Sequence, residues 1–251
     1  AEVEARLNGQ SAKGTGLIES AIRWLAMRNV RVFLGLQNVK TALTGAAPVP
    51  PDLIRWYLSC DIELREAFGM TETTGFCTAT PKGGIRLGWA GIKATGTEIR
   101  IGQNNEVLIR GHNVFGGYWN MPDKTLEALD EEGWLHTGDC GEIDADGYLA
   151  IKDRIKDMIL VSGFNVYPNE IENVLYSHPD VLECAVIGVV DDHSGEAIKA
   201  FVVVRNSGLT ATALREFCRQ DLTAYKVPKH IEFRDELPKS NVGKILRREL
   251  R

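Results

Sequence analysis

No two cysteines in this 251-residue sequence lie close enough to suggest a zinc site or a redox dithiol: Cys60, Cys77, Cys140, Cys184 and Cys218 are scattered singly. They read as reduced, mostly buried thiols, and a disulfide-stapled miniprotein is excluded. No apolar run approaches the roughly 20 residues that span a bilayer, and the opening residues show no charged-then-apolar leader pattern. The expectation is a cytoplasmic protein, with membrane contact at most peripheral. An excess of positive charge is lacking too. Lys and Arg number 29 against 34 Asp and Glu, a net charge of -5, so no basic field holds a polyanion by counterion release. Nucleic acid is therefore not an expected partner. Internal repeats and low-complexity tracts are also missing.

What is present is the composition of an ordinary globular protein, with 44% hydrophobic and 25% charged residues. The length corresponds to between one and two domains at about 150 residues each. The 25 glycines suggest many tight turns, or loops that let a ligand approach the backbone. The chain opens on Ala1, and its first sixteen residues are polar and glycine-containing. The expectation is that Ala1 is not the natural start.

Periodicity divides the rest into three regimes. In the first, Leu17, Ile18, Ala21, Ile22, Leu25 and Ala26 recur at helical spacing and predict a core-facing helix over Leu17–Arg28. A short strand is predicted over Val39–Leu43, then the small-residue turn Thr44-Gly45-Ala46-Ala47-Pro48, then a helix over Pro51–Tyr57 with Pro51 tolerated at its start. Strand, glycine turn and helix in this order suggest an α/β layer with its loops at one edge. From Trp89 the pattern changes to short alternating segments, Glu98–Ile101, Val107–Arg110 and Tyr148–Lys152, which predict a small barrel or folded sheet.

After Asp153 the predicted order is strand Met158–Val161, helix Asn169–Tyr176, strands Ala185–Val190 and Ala197–Val204, helix Ala211–Ala224, strand Ile231–Phe233 and a basic tail. This makes a compact α+β unit. The expected domains are therefore 1–153, with an α/β segment to about residue 90 and a β-rich one to 153, and a small C-terminal domain over 154–251.

Three segments carry candidate chemistry. In Phe68-Gly69-Met70-Thr71-Glu72-Thr73-Thr74 the glycine admits close approach, the hydroxyls can donate to an oxyanion, and Glu72 could hold a hard cation. Taken alone, such a loop is more often held together only by its own side-chain-to-backbone bonds. In Leu135-His136-Thr137-Gly138-Asp139 a carboxylate fixed after a tight turn could accept both hydroxyls of a ribose, although a plain surface turn is the simpler reading. In Pro238-Lys239-Ser240-Asn241-Val242-Gly243-Lys244 a bounded loop presents a lysine near the chain end, where lysines are usually just solvated.

Their order and spacing change that balance. Phe68–Thr73, Leu135–Asp139, Lys152-Asp153-Arg154-Ile155-Lys156-Asp157, the segment Ser162–Glu172 and Gly243-Lys244 together resemble the adenylate-forming superfamily, and within it the fatty acyl-CoA synthetases. The resemblance runs from about Thr41 to Arg251. It implies an α/β and β-rich partial large domain of acyl-CoA synthetase type followed by a small mobile α+β domain. It also implies ATP-dependent conversion of a carboxylate to acyl-AMP, release of pyrophosphate, and transfer of the acyl group to coenzyme A.

The resemblance assigns roles residue by residue. Lys244 would stabilise the adenylation transition state, where two anions meet. Thr71 would hydrogen-bond the α-phosphate and Glu72 would hold Mg²⁺. Phe68, where the family commonly has tyrosine, would stack on adenine, with Gly69 and Met70 following it. Gly45, Ala46 and Ala47 match the turn beside the nucleotide, Asp139 would bind the ribose hydroxyls and Arg154 would assist. Lys156 falls at the family's pivot, and Gly163 with Phe164 would line a tunnel for the pantetheine arm of CoA; by themselves these residues would read as a charged turn followed by a β-bulge.

The pattern departs from the family in two places. Asn105 stands where a glycine usually precedes the glutamate, and asparagine tolerates the same left-handed conformation. The Ser/Thr/Gly-rich loop ending in Pro-Lys-Gly is absent, and Ser11-Ala12-Lys13-Gly14-Thr15-Gly16 lacks its order. The chain is therefore expected to be the C-terminal portion of a synthetase about twice as long, inactive alone. A medium or long acyl chain is the expected substrate. An adenylation domain that loads a carrier protein, or a non-catalytic module that keeps the fold, are the alternatives.

Overall fold

The computed structural model describes residues 2–7, 17–47, 49–205, 208–241, 243 and 245–251. Helices α1 (Glu2–Leu7) and α2 (Leu17–Phe33) come first. α2 runs past the expected end at Arg28 because no glycine interrupts it before Gly35, which takes φ +72° and closes the helix with Leu36 N–H donating to Arg31 C=O at 2.7 Å. Residues 36–39 then make a turn, so strand β1 (Ala42–Thr44) starts later than the expected Val39. Helix α3 (Pro51–Ser59) carries proline in its first turn and buries Ile54 and Leu58.

Strand β2 (Leu64–Phe68) pairs parallel with β1, Ala42 opposite Leu64 and Thr44 opposite Glu66. Strands β3 (Thr78–Ala79) and β4 (Ile92–Lys93) extend this sheet antiparallel, in the order β1-β2-β3-β4. Parallel pairing leaves the carboxyl ends of β1 and β2 at one edge. The Gly45–Ala47 turn and the Gly69–Thr74 loop both leave from that edge, the usual place for ligands in an α/β layer.

Strands β5 (Thr97–Ile101) and β6 (Glu106–Gly111) form a hairpin through Asn104 and Asn105, both at positive φ (53° and 60°), so asparagine supplies the left-handed turn as expected. Helix α4 (Pro122–Ala128), strand β7 (Leu135–Ile143) and strand β8 (Leu149–Arg154) follow. The sheet order is β5-β6-β7-β8, the folded sheet of the two expected forms. Its core holds Cys77, Val107, Ile109, Leu135 and Leu149, all essentially buried. Leu135–Asp139, read from the sequence as a turn, is the first half of β7; only Gly138, at φ +70°, keeps turn-like geometry within the strand. Leu135 and Cys140 are buried there, and burial of such positions favours a strand over a surface turn.

The C-terminal part begins with the hairpin of β9 (Ile159–Val161) and β10 (Phe164–Val166), then helix α5 (Pro168–Tyr176). Strands β11 (Val181–Asp191) and β12 (Gly195–Val204) pair antiparallel, helix α6 (Ala211–Asp221) follows, and β13 (His230–Phe233) joins β12 in parallel. α6 stops before the expected Ala224 because Leu222 is extended, at φ -110° and ψ 142°. Alternation along β11 and β12 gives the sheet two apolar faces. Val186, Ala200 and Val202 pack with Ile171, Leu175, Leu214 and Cys218 of α5 and α6. Ala185, Ile187, Phe201 and Val203 pack on the other face with Leu237 and Leu250 of the chain end.

The chain separates into two compact units, Ala1–Thr137 with Gly141–Ile151, and Gly138–Cys140 with Lys152–Arg251. All five cysteines are buried and unbridged. Among the described residues no helix is long and apolar enough to cross a membrane.

Candidate active site

In the first unit the candidate site is built on the loop that leaves β2. Phe68 is half-buried against the β-sheet core, and its carbonyl accepts from Cys77 N–H at 2.8 Å. A Cβ on Gly69 would lie 1.9 Å from Gly75 O and 2.5 Å from Phe76 Cα. The glycine is therefore demanded by the loop's own closure, not only by the approach of a ligand. Thr71–Thr73 forms a 3-10 turn. Buried Thr73 closes it: its hydroxyl accepts from Met70 N–H at 2.9 Å and lies 3.0 Å from Met70 C=O. The family-like hydroxyl at position 73 thus maintains the loop, while Thr71 is exposed at its tip.

Three residues that the sequence reading did not single out, Asn113, Phe115 and Tyr118, hold this turn in place. Asn113 Nδ2 donates to Thr73 C=O at 3.3 Å, and Asn113 C=O accepts from Thr74 Oγ1 at 2.8 Å. Tyr118 donates its hydroxyl to Glu72 Oε1 at 2.8 Å, and Phe115 N–H donates to Glu72 C=O at 2.8 Å. Phe115 and Tyr118 meet edge to face with ring centroids 4.8 Å apart. No spacing rule links position 72 to position 118, so the sequence carried no signal for this contact.

Glu72 suits a hard cation. Mg²⁺ takes one or two carboxylates and keeps waters and substrate phosphates for its remaining positions, so one carboxylate beside an exposed Thr71 hydroxyl is a sufficient protein share. Among the described residues no group of three or more His, Cys, Asp and Glu side chains gathers as a closed metal site. The Gly45–Ala47 turn is exposed; a Cβ on Gly45 would come within 2.6 Å of Ala67 O, and Ala46 takes φ +66°. Beside it in the sheet, burial pushes the Glu66 carboxyl up to about 7, while the Gly88 backbone N–H pulls it the other way.

In the second unit Asp139 and Arg154 come together, Arg154 Nε lying 3.7 Å from Asp139 Oδ1. The Asp139 side chain is 15% exposed and Arg154 50%, so the carboxylate is oriented by a cation that still faces solvent. Lys156 is exposed in the 3-10 turn Ile155–Asp157. Ser162 and Gly163 link β9 to β10 as a two-residue hairpin with both φ positive (50° and 83°) and Val161 opposite Phe164. That is the geometry of a type I′ turn, so the β-bulge reading of this segment is corrected. Nothing lies within 4 Å of a Cβ built on Gly163. Phe164 is exposed and stacks on Tyr225, with ring centroids 4.9 Å apart and planes 28° apart. Lys244 lies outside the described residues.

Comparisons with known proteins bear on these two clusters together. The AMP-binding enzyme family model matches residues 10–119, and the AMP-binding enzyme C-terminal domain model matches residues 170–244. The chain is 46% identical over 240 residues to a long-chain-fatty-acid–CoA ligase of Escherichia coli O157:H7, covering 90% of this chain and 43% of the ligase. It is similar to the o-succinylbenzoate CoA synthetase of Bacillus subtilis solved with its acyl-adenylate intermediate, with a TM-score of 0.79 and 32% identity over 85% of this chain and 46% of that one. The same synthetase has been solved with ATP and a magnesium ion, with a TM-score of 0.77 and 29% identity over 92% of this chain and 54% of that one. The chain spans less than half the length of the curated relative it matches. With two successive family models and a long stretch of close identity, this chain belongs to the adenylate-forming, AMP-binding enzyme family.

Proposed function

We propose that this chain supplies the nucleotide-binding edge and the mobile C-terminal domain of an AMP-forming fatty acid–CoA ligase. The longer protein would join a medium- or long-chain fatty acid to AMP and pass the acyl group to CoA. One observation carries this reading. The parallel register of β1 and β2 sends the Gly45–Ala47 turn and the Phe68–Glu72 loop out from one sheet edge, where a nucleotide can meet both backbone and side chains.

In the first step a carboxylate oxygen of the acid attacks the α-phosphorus and the bond to pyrophosphate breaks. Thr71 donates its hydroxyl to the α-phosphate, Phe68 offers a ring face to adenine, with Gly69 and Met70 carrying the backbone past it, and Asp139 accepts the ribose hydroxyls beside Arg154. Lys244 brings positive charge to the point where two anions approach. Mg²⁺, held by Glu72, would neutralise phosphate charge. In the second step the CoA sulfur attacks the acyl carbonyl, AMP leaves with the bonding electron pair, and the thiol proton is released. Lys156 is the pivot between the steps, and Gly163 and Phe164 border the pantetheine path. ATP and CoA as substrates put this work in the cytoplasm.

The test is pyrophosphate exchange by the full-length protein with a fatty acid, with and without K244A. The variant should lose exchange by at least 100-fold while its melting temperature holds. Exchange that survives the substitution would remove the lysine from the mechanism. Turnover by the 251-residue chain alone would overturn the view that it needs the rest of the protein.

A further inference from the structure

Arg247 lies three residues beyond Lys244, and its guanidinium is inserted among acidic side chains of the second unit. Its Nε and Nη2 donate to the two oxygens of Glu172, at 3.2 and 2.7 Å. Nη2 also donates to Asn169 Oδ1 at 2.8 Å, and Nη1 faces Asp157 at 3.5 Å and Asp153 at 3.8 Å. The side chain is 20% exposed; Asp153 is 1% exposed and Glu172 12%. A bidentate fork of this kind fixes direction as well as distance.

The carboxylates it grips are themselves fixed. Glu172 Oε1 accepts from Val186 N–H at 2.8 Å, and Asp153 accepts from Asn169 N–H at 2.7 Å and Arg154 N–H at 2.8 Å. Asn169 Nδ2 donates to Lys152 C=O at 3.1 Å. The chain end is therefore tied to α5 and to the turn around Lys156. Arg251 adds a second tie, donating to Asp157 Oδ1 at 2.9 Å and Lys156 C=O at 3.1 Å.

The stem of the preceding loop is closed by its described residues. Lys239 and Ile245 form an antiparallel bridge, Leu246 N–H donates to Pro238 C=O at 2.8 Å, and Gly243 N–H donates to Ser240 C=O at 2.8 Å. The described residues on both sides of the loop are thus joined, and Arg247, two residues beyond Ile245, fixes the register of that stem from the chain end.

We propose that Arg247 is a positioning residue for adenylation: through Glu172, Asn169, Asp153 and Asp157 it sets the register of the loop that presents Lys244. The inference rests on the assignment of Lys244 to that step. Among the described residues the turn assigned to the pantetheine path is held by other contacts than those of Arg247. Leu160 N–H donates to Glu196 Oε2 at 2.7 Å, and Ser162 N–H donates to Ser194 C=O at 2.8 Å. Loss of the anchor should therefore separate the two half-reactions.

The experiment compares R247K and K244A in the full-length protein, measuring pyrophosphate exchange and, separately, thioester formation from synthetic acyl-adenylate and CoA. R247K keeps the charge and loses the fork. It should slow exchange at least tenfold and leave thioester formation within twofold. An equal fall in both half-reactions, or no fall in exchange while K244A loses it, overturns the role of Arg247 alone. Exchange retained by K244A overturns the lysine assignment and the inference with it. Should R247K lack a cooperative melt, N169A removes the Oδ1 acceptor of Arg247 and the Nδ2 donor to Lys152 but no charge; it should slow exchange about threefold, and an unchanged rate overturns the proposal.

Discussion

Tyr118 donates its hydroxyl to Glu72 Oε1 at 2.8 Å across 46 positions of sequence. One oxygen of the carboxylate is thereby occupied and its rotamer fixed, while the other remains available to a cation. The Glu72 carboxylate in turn raises the Tyr118 phenol above its usual range, so the phenol stays a donor at any working pH.

Y118F should therefore weaken metal binding more than it weakens the fold. Partners behind a metal ligand contribute about 10–100-fold in affinity, and a contact this exposed belongs at the lower end, about tenfold. Mn²⁺ titration followed by electron paramagnetic resonance with ATP present reads the affinity directly, and the Mg²⁺ dependence of pyrophosphate exchange should shift in parallel. Stability should fall by less than about 1 kcal/mol. An unchanged Mn²⁺ affinity would show that Tyr118 does not orient Glu72 toward metal.

G69A tests whether the loop is held by its own backbone. The added methyl would sit 1.9 Å from Gly75 O, so the loop must spread, at a cost of about 1–3 kcal/mol. Gly116 has open space around it and no positive φ, so G116A serves as a control that should leave the melt unchanged. The two variants are compared by thermal denaturation of the chain, and equal melting temperatures would refute the closure argument.

Glu66 makes the first unit sensitive to pH. Its carboxyl is near 7 when folded and near 4.5 when unfolded, so the folded chain holds a proton that the unfolded chain releases. The contribution of this one group to stability is fullest below about 4.5 and is lost as pH rises through 7. E66Q cannot titrate. Its advantage over the unaltered chain should grow between those limits to on the order of 2 kcal/mol at pH 8, discounted for partial exposure. Urea denaturation at pH 5 and pH 8 measures it, and a gap that does not widen with pH would count against a raised carboxyl.

Gly163 separates fold from chemistry in the second unit. At φ +83° an alanine is strained, at a cost of about 1 kcal/mol, but its methyl would touch nothing. G163A should lower stability by that amount and slow thioester formation from acyl-adenylate, with pyrophosphate exchange within twofold. Equal slowing of both steps would remove Gly163 from the pantetheine path.

Much of this was legible in order along the chain. The hairpin asparagines, the proline starting α3, the existence of strands β11 and β12 and the small C-terminal α+β unit followed from local rules, because each element depends on residues within one turn, strand or helix. Ends were less legible. α2 overran Arg28 and α6 stopped short of Ala224, since helix ends depend on whichever residue first satisfies the terminal carbonyls. The segment Leu135–Asp139 was misread because glycine beside polar residues resembles a turn, whereas burial of Leu135 and Cys140 decides for a strand.

The sequence by itself determined the family, through ordered motifs whose residue types suit nucleotide and phosphate chemistry, and it determined that Phe68 to Glu72, Asp139 and Arg154 were the residues to inspect. Only the tertiary structure decided what holds them. Asp139 meets Arg154 because β7 and β8 are neighbours in one sheet. Glu72 meets Tyr118, and Glu172 meets Arg247, across separations that no periodicity encodes. The physical reason is that a motif records which groups the chemistry requires. The partners that desolvate, orient and anchor those groups are chosen by packing, which brings together residues that no local pattern connects.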